Sequence, residues 1–248
     1  MKIKLILFVV CLFTSNTFLS QTNYVIKTDM VIKMAMMNVK SKLTTYIKGE
    51  EVKQLTEVNG IEQHQFFSGD KINLVTKERT YKDACGEGTL DEWKELNMEA
   101  LGSTVYKNFE IEKTNKTEKI LGYLCKKCIF HYKIEIPISK ALVEVEQEVW
   151  YSEELYEKGF KDHDPKSLGV TNPLIEALAS LKGFVLKQII KQMGGGYESV
   201  VTQIDQNPSK DPILSLEEAT KGCKKMLTLK KHNKEVMGRH QMSGQMRY

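Results

Sequence analysis

The chain has 248 residues, of which 41% are hydrophobic and 27% are charged, and its formal net charge is +4. This balance is that of an ordinary globular protein, and a weak positive charge spread along the chain gives no argument for nucleic-acid binding, which usually needs a concentrated basic face. The length suits one large domain or two small ones.

Residues 1–20 have the layout of a secretory signal peptide. Lys2 and Lys4 precede an apolar run from Leu5 to Phe13 that is too short to span a bilayer, and small or polar residues follow up to Ser20. No later segment of the sequence is long and apolar enough to span a membrane. We therefore expect a periplasmic or secreted protein that lacks residues 1–20.

The region from Tyr24 to about Tyr81 has the pattern of consecutive antiparallel strands. Short alternating runs are separated by the turn dipeptides Lys48-Gly49, Asn59-Gly60 and Gly69-Asp70. The first predicted strand extends to Asn38, and one face of it carries Tyr24, Ile26, Met30, Ile32, Met34 and Met36.

Helices interrupt this strand pattern at three places. Thr89 is a suitable cap for a helix that carries Trp93 and Leu96. A second helix is predicted to follow Asn172, with Pro173 at its first position. A third begins after Leu214, and its predicted capping box pairs Ser215 with Glu218.

Further strands are predicted between these helices, over residues 103–116, 119–136, 142–155, 183–193 and 197–205. An open antiparallel sheet of roughly ten strands curls, and helices can then cover its concave face. The predicted class is α+β, with a strongly curved antiparallel sheet. The predicted division is a signal peptide over 1–20, one curved-sheet domain over 21–207, and over 208–248 a C-terminal helix with a basic, partly disordered tail.

Four cysteines remain after the signal peptide is removed, and export favours disulfides among them. The candidates are Cys85, Cys125, Cys128 and Cys223, in a pairing that the sequence leaves open. Cys125 and Cys128 would point to opposite faces of a regular strand, so they cannot bond to each other without a bulge. Cys125 is expected to pair with a neighbouring segment such as that of Cys85, and Cys223 can attach the C-terminal helix to the sheet.

Two chemical alternatives use Cys125 and Cys128. A redox dithiol places its cysteines at the start of a helix, whereas the residues around this pair favour a strand. A zinc site with His131 needs a fourth ligand and a turn between the cysteines. We therefore predict no catalytic residues, metal or cofactor, and retain a thiol-disulfide redox protein as an alternative.

The methionines of the first strand suggest a surface for an apolar ligand, because methionine is flexible and polarizable. Residues of two later strands are predicted to face the same side. The candidate ligand-binding residues are Met30, Met34, Met36, Phe130, Tyr132, Val145 and Val149. The alternative is that helices carrying Trp93, Leu96, Leu174 and Leu178 fill this space completely.

Three short motifs resemble the GLPGLI family and a neighbouring domain of unknown function, both exported from gram-negative envelopes. These families show a Gly-Tyr-x-Cys step in a strand, then a strand with tryptophan, then a Gly-rich apolar motif. Gly122, Tyr123 and Cys125 match the first, Trp150 and Tyr151 the second, and Gly183, Phe184 and Leu186 loosely the third. The resemblance covers roughly residues 24–205. The third motif departs from the Gly-Leu-Pro-Gly-Leu-Ile form, and Cys128 is additional to the pattern.

The resemblance implies a LolA-like fold, a half-barrel of antiparallel strands with helices on its concave side. Several proteins of that superfamily bind acyl chains or lipoproteins, and the resemblance implies no catalytic residue. We therefore expect an exported, noncatalytic envelope protein that binds an apolar ligand, such as a lipid or acyl chain, or a protein partner. A ligand-free structural or sensory module is the remaining alternative.

Overall fold

A computed structural model describes residues 23–34, 37–49, 51–101, 105–135, 141–160, 173–192 and 195–245. The predicted signal peptide and Met36 lie outside the described residues. Within this part of the chain, no helix has the length and apolar character needed to cross a bilayer.

The strands form one 12-stranded sheet. They are β1 (Tyr24–Met34), β2 (Met37–Lys48), β3 (Glu51–Val58), β4 (Ile61–Ser68), β5 (Lys71–Glu78), β6 (Ala84–Thr89), β7 (Val105–Ile120), β8 (Tyr123–Glu135), β9 (Leu142–Ser152), β10 (Phe184–Gln192), β11 (Gly195–Gln206) and β12 (Met226–Thr228). The helices are α1 (Leu90–Leu101), α2 (Glu153–Leu155), which continues into a π-helical turn (Tyr156–Phe160), α3 (Pro173–Ser180), α4 (Leu216–Thr220) and α5 (Leu229–Gln245).

The strand order is β12-β6-β5-β4-β3-β2-β1-β11-β10-β9-β8-β7. All neighbours are antiparallel except β12 and β6, which are parallel. Strands β7 and β12 are the two edges, so the curved sheet is not closed. The prediction of one large antiparallel sheet with few helices is confirmed.

Short sequence patterns at turns and helix starts predicted several element boundaries correctly. Asn59 and Gly60 both have positive φ, 49° and 79°, as the two-residue hairpin turn between β3 and β4 requires. The predicted capping box of α4 is present, with the Ser215 hydroxyl accepting from the Glu218 backbone N–H. Pro173 is the first residue of α3.

The first predicted strand is wrong in its length. β1 ends at Met34 and pairs with β2 in antiparallel register, with Met34 opposite Met37. The predicted strand that ran to Asn38 is therefore two strands. The reversal was missed because no Gly, Asn or Pro lies between Met34 and Met37.

The expectation of a partly disordered basic tail is wrong for Leu229–Gln245, which form α5. The helix packs closely on β6, where a Cβ added to Gly86 would lie 2.7 Å from the Cβ of His232. Its lysines stay outside, while four residues at helical spacing are buried, namely Leu229, His232, Val236 and Arg239.

One disulfide ties the C-terminal region to the sheet. Cys85 of β6 bonds to Cys223, which follows α4, with a Cα–Cα distance of 5.9 Å. The expected bridge from Cys125 to the segment of Cys85 is not present, because β8 and β6 lie far apart in the strand order. Cys125 and Cys128 are both buried and free.

Candidate ligand-binding face of the sheet

One face of the sheet is nearly without charge. It is built from alternate residues of β1–β5 and β8–β11, and we call it the Met30 face. Among the described residues that these strands contribute to it, two are charged and both are paired. Glu78 pairs with Arg239 of α5 at 3.5 Å, and Lys126 pairs with Glu153 of α2 at 2.7 Å. The register defines the face by Tyr24, Met30, Ser41, Leu43, Gln54, Gln65, Leu74, Gln147, Val149, Gln188 and Ser199.

The centre of the Met30 face is a row of six residues from six neighbouring strands. Met30 lies opposite Ser41 on one side and Ser199 on the other, and Ser199 lies opposite Gln188. The row, which we call the central row, runs through Cys128, Val149, Gln188, Ser199, Met30 and Ser41. Each of these residues is at most 6% exposed.

The register brings the described candidate residues onto this face. Met30 and Val149 belong to the central row, and Phe130 lies in the next row, opposite Gln147. Tyr132 and Val145 lie opposite each other one row further on. All of these candidates are buried. Met34 ends β1, and neither its side chain nor Met36 is among the described parts of the structure.

Helices contact the Met30 face toward both ends of the sheet, where α5 reaches Glu78 through Arg239 and α3 and α1 pack on apolar residues. Leu174 and Ala177 of α3 lie in the apolar cluster of Phe130 and Val149. At the other end of the sheet, the ring of Trp93 from α1 meets Phe67 edge-on, with centroids 5.6 Å apart. Between these places the cluster of Met30, Leu43 and Tyr197 contains strand residues alone, as far as the described residues show.

Buried glutamines are the feature that the sequence analysis missed. Gln54 and Gln65 lie opposite each other on β3 and β4, and Gln147 and Gln188 come from β9 and β10. Each is at most 2% exposed. A signal was present, because these residues occupy the inward positions of strands whose other inward residues are mostly apolar.

Several polar atoms of this face are buried without a hydrogen-bond partner among the described residues. The Tyr132 hydroxyl donates to Gln147 Oε1 at 2.9 Å, which leaves Gln147 Nε2 unpaired. Gln188 Oε1, Gln65 Oε1 and Ser41 Oγ are also unpaired. Such atoms are uncommon in folded proteins, since each one costs about 1–3 kcal/mol.

The phenols of Tyr132 and Tyr197 and the two free thiols of the sheet are neutral. Burial raises the pKa of Tyr132 and Tyr197 above the ordinary tyrosine value. Burial also raises the pKa of Cys125, and that of Cys128 to about 12. Neither thiol is therefore poised to form the thiolate on which redox exchange depends.

The two free cysteines also point away from each other. In β8, Cys125 precedes Lys126 and Cys128 lies two residues after Lys126, in regular register with β9, so the two thiols lie on opposite faces of the strand. This is the arrangement that strand alternation predicts. In the described part of the chain, no group of three His, Cys, Asp or Glu side chains is placed to hold a metal ion.

Charged groups gather on the opposite face. The ammonium groups of Lys127 and Lys187 lie 5.5 and 5.4 Å from the centroid of the Trp150 ring. Burial acts to raise the pKa of Glu148, but hydrogen bonds from Lys127 and Lys191 outweigh it and keep that pKa below its ordinary value. Lys127 and Lys191 thus partly neutralise Glu148 on this face.

No protein-family model matches the sequence, and no curated protein does either. The resemblance to the GLPGLI family is therefore not confirmed. Among solved structures, the chain is similar to a DUF1329 family protein from Desulfovibrio piger, with 8% identity, a TM-score of 0.34 and coverage of 77% of this chain and 88% of the other. It is also similar to a structure described as an outer membrane lipoprotein-sorting protein domain from Vibrio parahaemolyticus, with 9% identity, a TM-score of 0.32 and coverage of 80% and 89%. With TM-scores this low, neither likeness supports a function for this chain.

Proposed function

We propose that the chain is an exported, noncatalytic envelope protein whose Met30 face holds an apolar ligand, a lipid or an acyl chain. The observation that carries this proposal is the separation of charge between the two faces of one sheet. Across nine strands the Met30 face has two charged residues, Glu78 and Lys126, and they are already paired with Arg239 and Glu153. Such a surface suits the apolar part of a ligand, since no charge has to lose its water when the ligand binds.

Met30 is the side chain that we expect to move when the ligand enters. The central row is closed in the structure, so a ligand reaches it only after side chains rotate. Methionine is unbranched and adapts readily to a changed neighbour. Met30 also lies between Ser41 and Ser199, two small side chains that leave it room to turn. In this proposal the Met30 face is the concave side of a LolA-like half-barrel.

Export is supported by two independent features of the chain. Residues 1–20 have the layout of a signal peptide. The disulfide between Cys85 and Cys223 fits an oxidising compartment such as the periplasm or the extracellular space. We therefore propose a periplasmic or secreted protein without a membrane span, in which residues 21–207 form most of the sheet and the C-terminal region, 208–248, adds β12 to it.

Native mass spectrometry of the protein purified from its own envelope tests this function. We expect a bound mass that organic solvent releases and that lipid analysis identifies as apolar. Met30→Phe should lower the occupancy by filling the space beside Ser41. Val200→Phe, on the opposite face of β11, is the matched control and should leave the occupancy unchanged. If the protein carries no lipid and takes none up from vesicles, the face is a filled core and the proposal is wrong.

A further inference from the structure

The buried glutamines indicate which class of apolar ligand the Met30 face accepts. We infer that the ligand is an uncharged amphiphile, an apolar chain that carries ester, amide or hydroxyl groups, and that Gln147 and Gln188 bind its polar part. This inference rests on the proposed function. It adds a polar subsite inside a surface that the sequence analysis treated as apolar.

Gln147 and Gln188 lie close enough to bind one small head group. Gln188 lies opposite Val149, and Gln147 is two residues from Val149 on the same strand face. Such diagonal neighbours have Cα atoms roughly 7–8 Å apart. The pair offers both kinds of hydrogen bond, because Gln147 has an unpaired donor at Nε2 and Gln188 an unpaired acceptor at Oε1.

The Tyr132 hydroxyl fixes which atom of Gln147 is available. It donates to Gln147 Oε1 at 2.9 Å, and both side chains are buried. The amide is thereby held with its Nε2 directed away from Tyr132. A carbonyl or hydroxyl oxygen of the ligand can accept from Nε2, and a ligand hydroxyl or amide N–H can donate to Gln188 Oε1. A plain hydrocarbon leaves both atoms unsatisfied.

A charged head group does not fit this subsite. No lysine or arginine of the described strands β1–β5 and β9–β11 points to the Met30 face. Lys126 of β8 does, but it pairs with Glu153 at 2.7 Å, and Lys113 of the edge strand β7 lies opposite Cys128, three strands away from Gln188. Arg239, which reaches the face from α5, is held by Glu78 and Glu235. A carboxylate or phosphate would therefore lose its water without gaining a counter-ion. A cationic head group meets the same difficulty, because Glu78 is already paired.

Calorimetric titration of the full chain with three ligands of equal chain length tests the inference. The ligands are 1-lauroylglycerol, laurate and dodecyl phosphate, at a pH where both acids are ionised. We expect 1-lauroylglycerol to bind at least tenfold more tightly than either anion. Gln188→Leu should lower its affinity about tenfold, because one polar partner is lost. The matched control, Gln203→Leu, changes a glutamine on the opposite face of β11 and should leave the affinity unchanged.

The possible outcomes separate this inference from the proposed function. If laurate or dodecyl phosphate binds as tightly as 1-lauroylglycerol, the uncharged subsite is wrong while lipid binding stands. If none of the three binds, the proposed function and the inference both fail. If the neutral ligand is preferred but Gln188→Leu and Gln203→Leu bind it equally, Gln188 is not the residue that selects it, and the assignment of the subsite is wrong. The wild-type preference can be measured even if a variant does not fold.

Discussion

Replacing Gln188 with leucine should stabilise the empty protein, although it removes a polar group that we assign to ligand binding. Gln188 is 2% exposed, and its Oε1 has no hydrogen-bond partner among the described residues. A buried acceptor left unsatisfied costs about 1–3 kcal/mol, and a leucine of similar size does not incur this cost. We therefore expect the free energy of unfolding to rise by about 1–2 kcal/mol, or Tm by roughly 2–8 °C for a chain of this length.

Gln147→Leu is the matched control for this prediction, because it has the same chemistry on the same face and the opposite expected result. Gln147 Oε1 accepts the hydrogen bond of the buried Tyr132 hydroxyl, and leucine would leave that hydroxyl unpaired. The free energy of unfolding of the Gln147→Leu variant should therefore lie at least about 1 kcal/mol below that of the Gln188→Leu variant. Both variants are measured by thermal and urea denaturation of delipidated protein. A Gln188→Leu protein that is less stable than both the wild type and Gln147→Leu would refute the reasoning, since the Gln188 amide would then be satisfied.

Three further predictions concern the C-terminal region. Gly86→Ala should lower the free energy of unfolding by about 1–3 kcal/mol, because the added Cβ would lie 2.7 Å from His232 Cβ. Gly238→Ala in α5 is the control: its Cβ meets no atom within 4 Å, so it should raise the free energy of unfolding by about 0.5–1 kcal/mol. Equal effects would contradict the close packing of α5. Replacing Cys85 and Cys223 with serine removes a crosslink between residues that are 138 positions apart. The free energy of unfolding should fall by about 5 kcal/mol, because the unfolded chain gains loop entropy. An unchanged Tm would show that the bond is not formed. Burial lowers the pKa of His232 below 6.5, so the unfolded chain takes up a proton that the folded chain excludes. The free energy of unfolding should therefore fall as pH drops from about 7.5 to about 5.5, and less steeply in His232→Gln; identical slopes would exclude this cause.

Much of the strand pattern could be predicted because it depends on neighbours in the sequence. Asn59-Gly60 marks a hairpin by its own backbone preferences, and Ser215 with Glu218 marks a helix start. The reversal between Met34 and Met37 has no such mark and was missed. Helix α5 was missed for another reason, because a basic sequence becomes a buried helix only where β6 provides a surface without side chains, as at Gly86.

The apolar half of the candidate site could be predicted, whereas for the polar half strand alternation indicates only that single glutamines point inward, not that they meet. Met30 and Val149 stand out as apolar residues on alternating strands, so their common face follows from alternation alone. A single glutamine such as Gln188 does not by itself indicate a binding site. Its position becomes informative only when the register places it beside Ser199 and diagonal to Gln147, and register between strands distant in sequence is not encoded locally.

The strand order explains why the central row lies where it does. Strands β1–β6 form one meander, β7–β11 pair mainly with their own sequence neighbours, and the pairing of β1 with β11 joins the two groups. Met30 lies on this junction, with Ser41 from the first group on one side and Ser199 from the second on the other. Neither group alone contains the complete row. A ligand that extends from Gln188 to Met30 would contact both groups, so its binding free energy would add to the stability of their pairing.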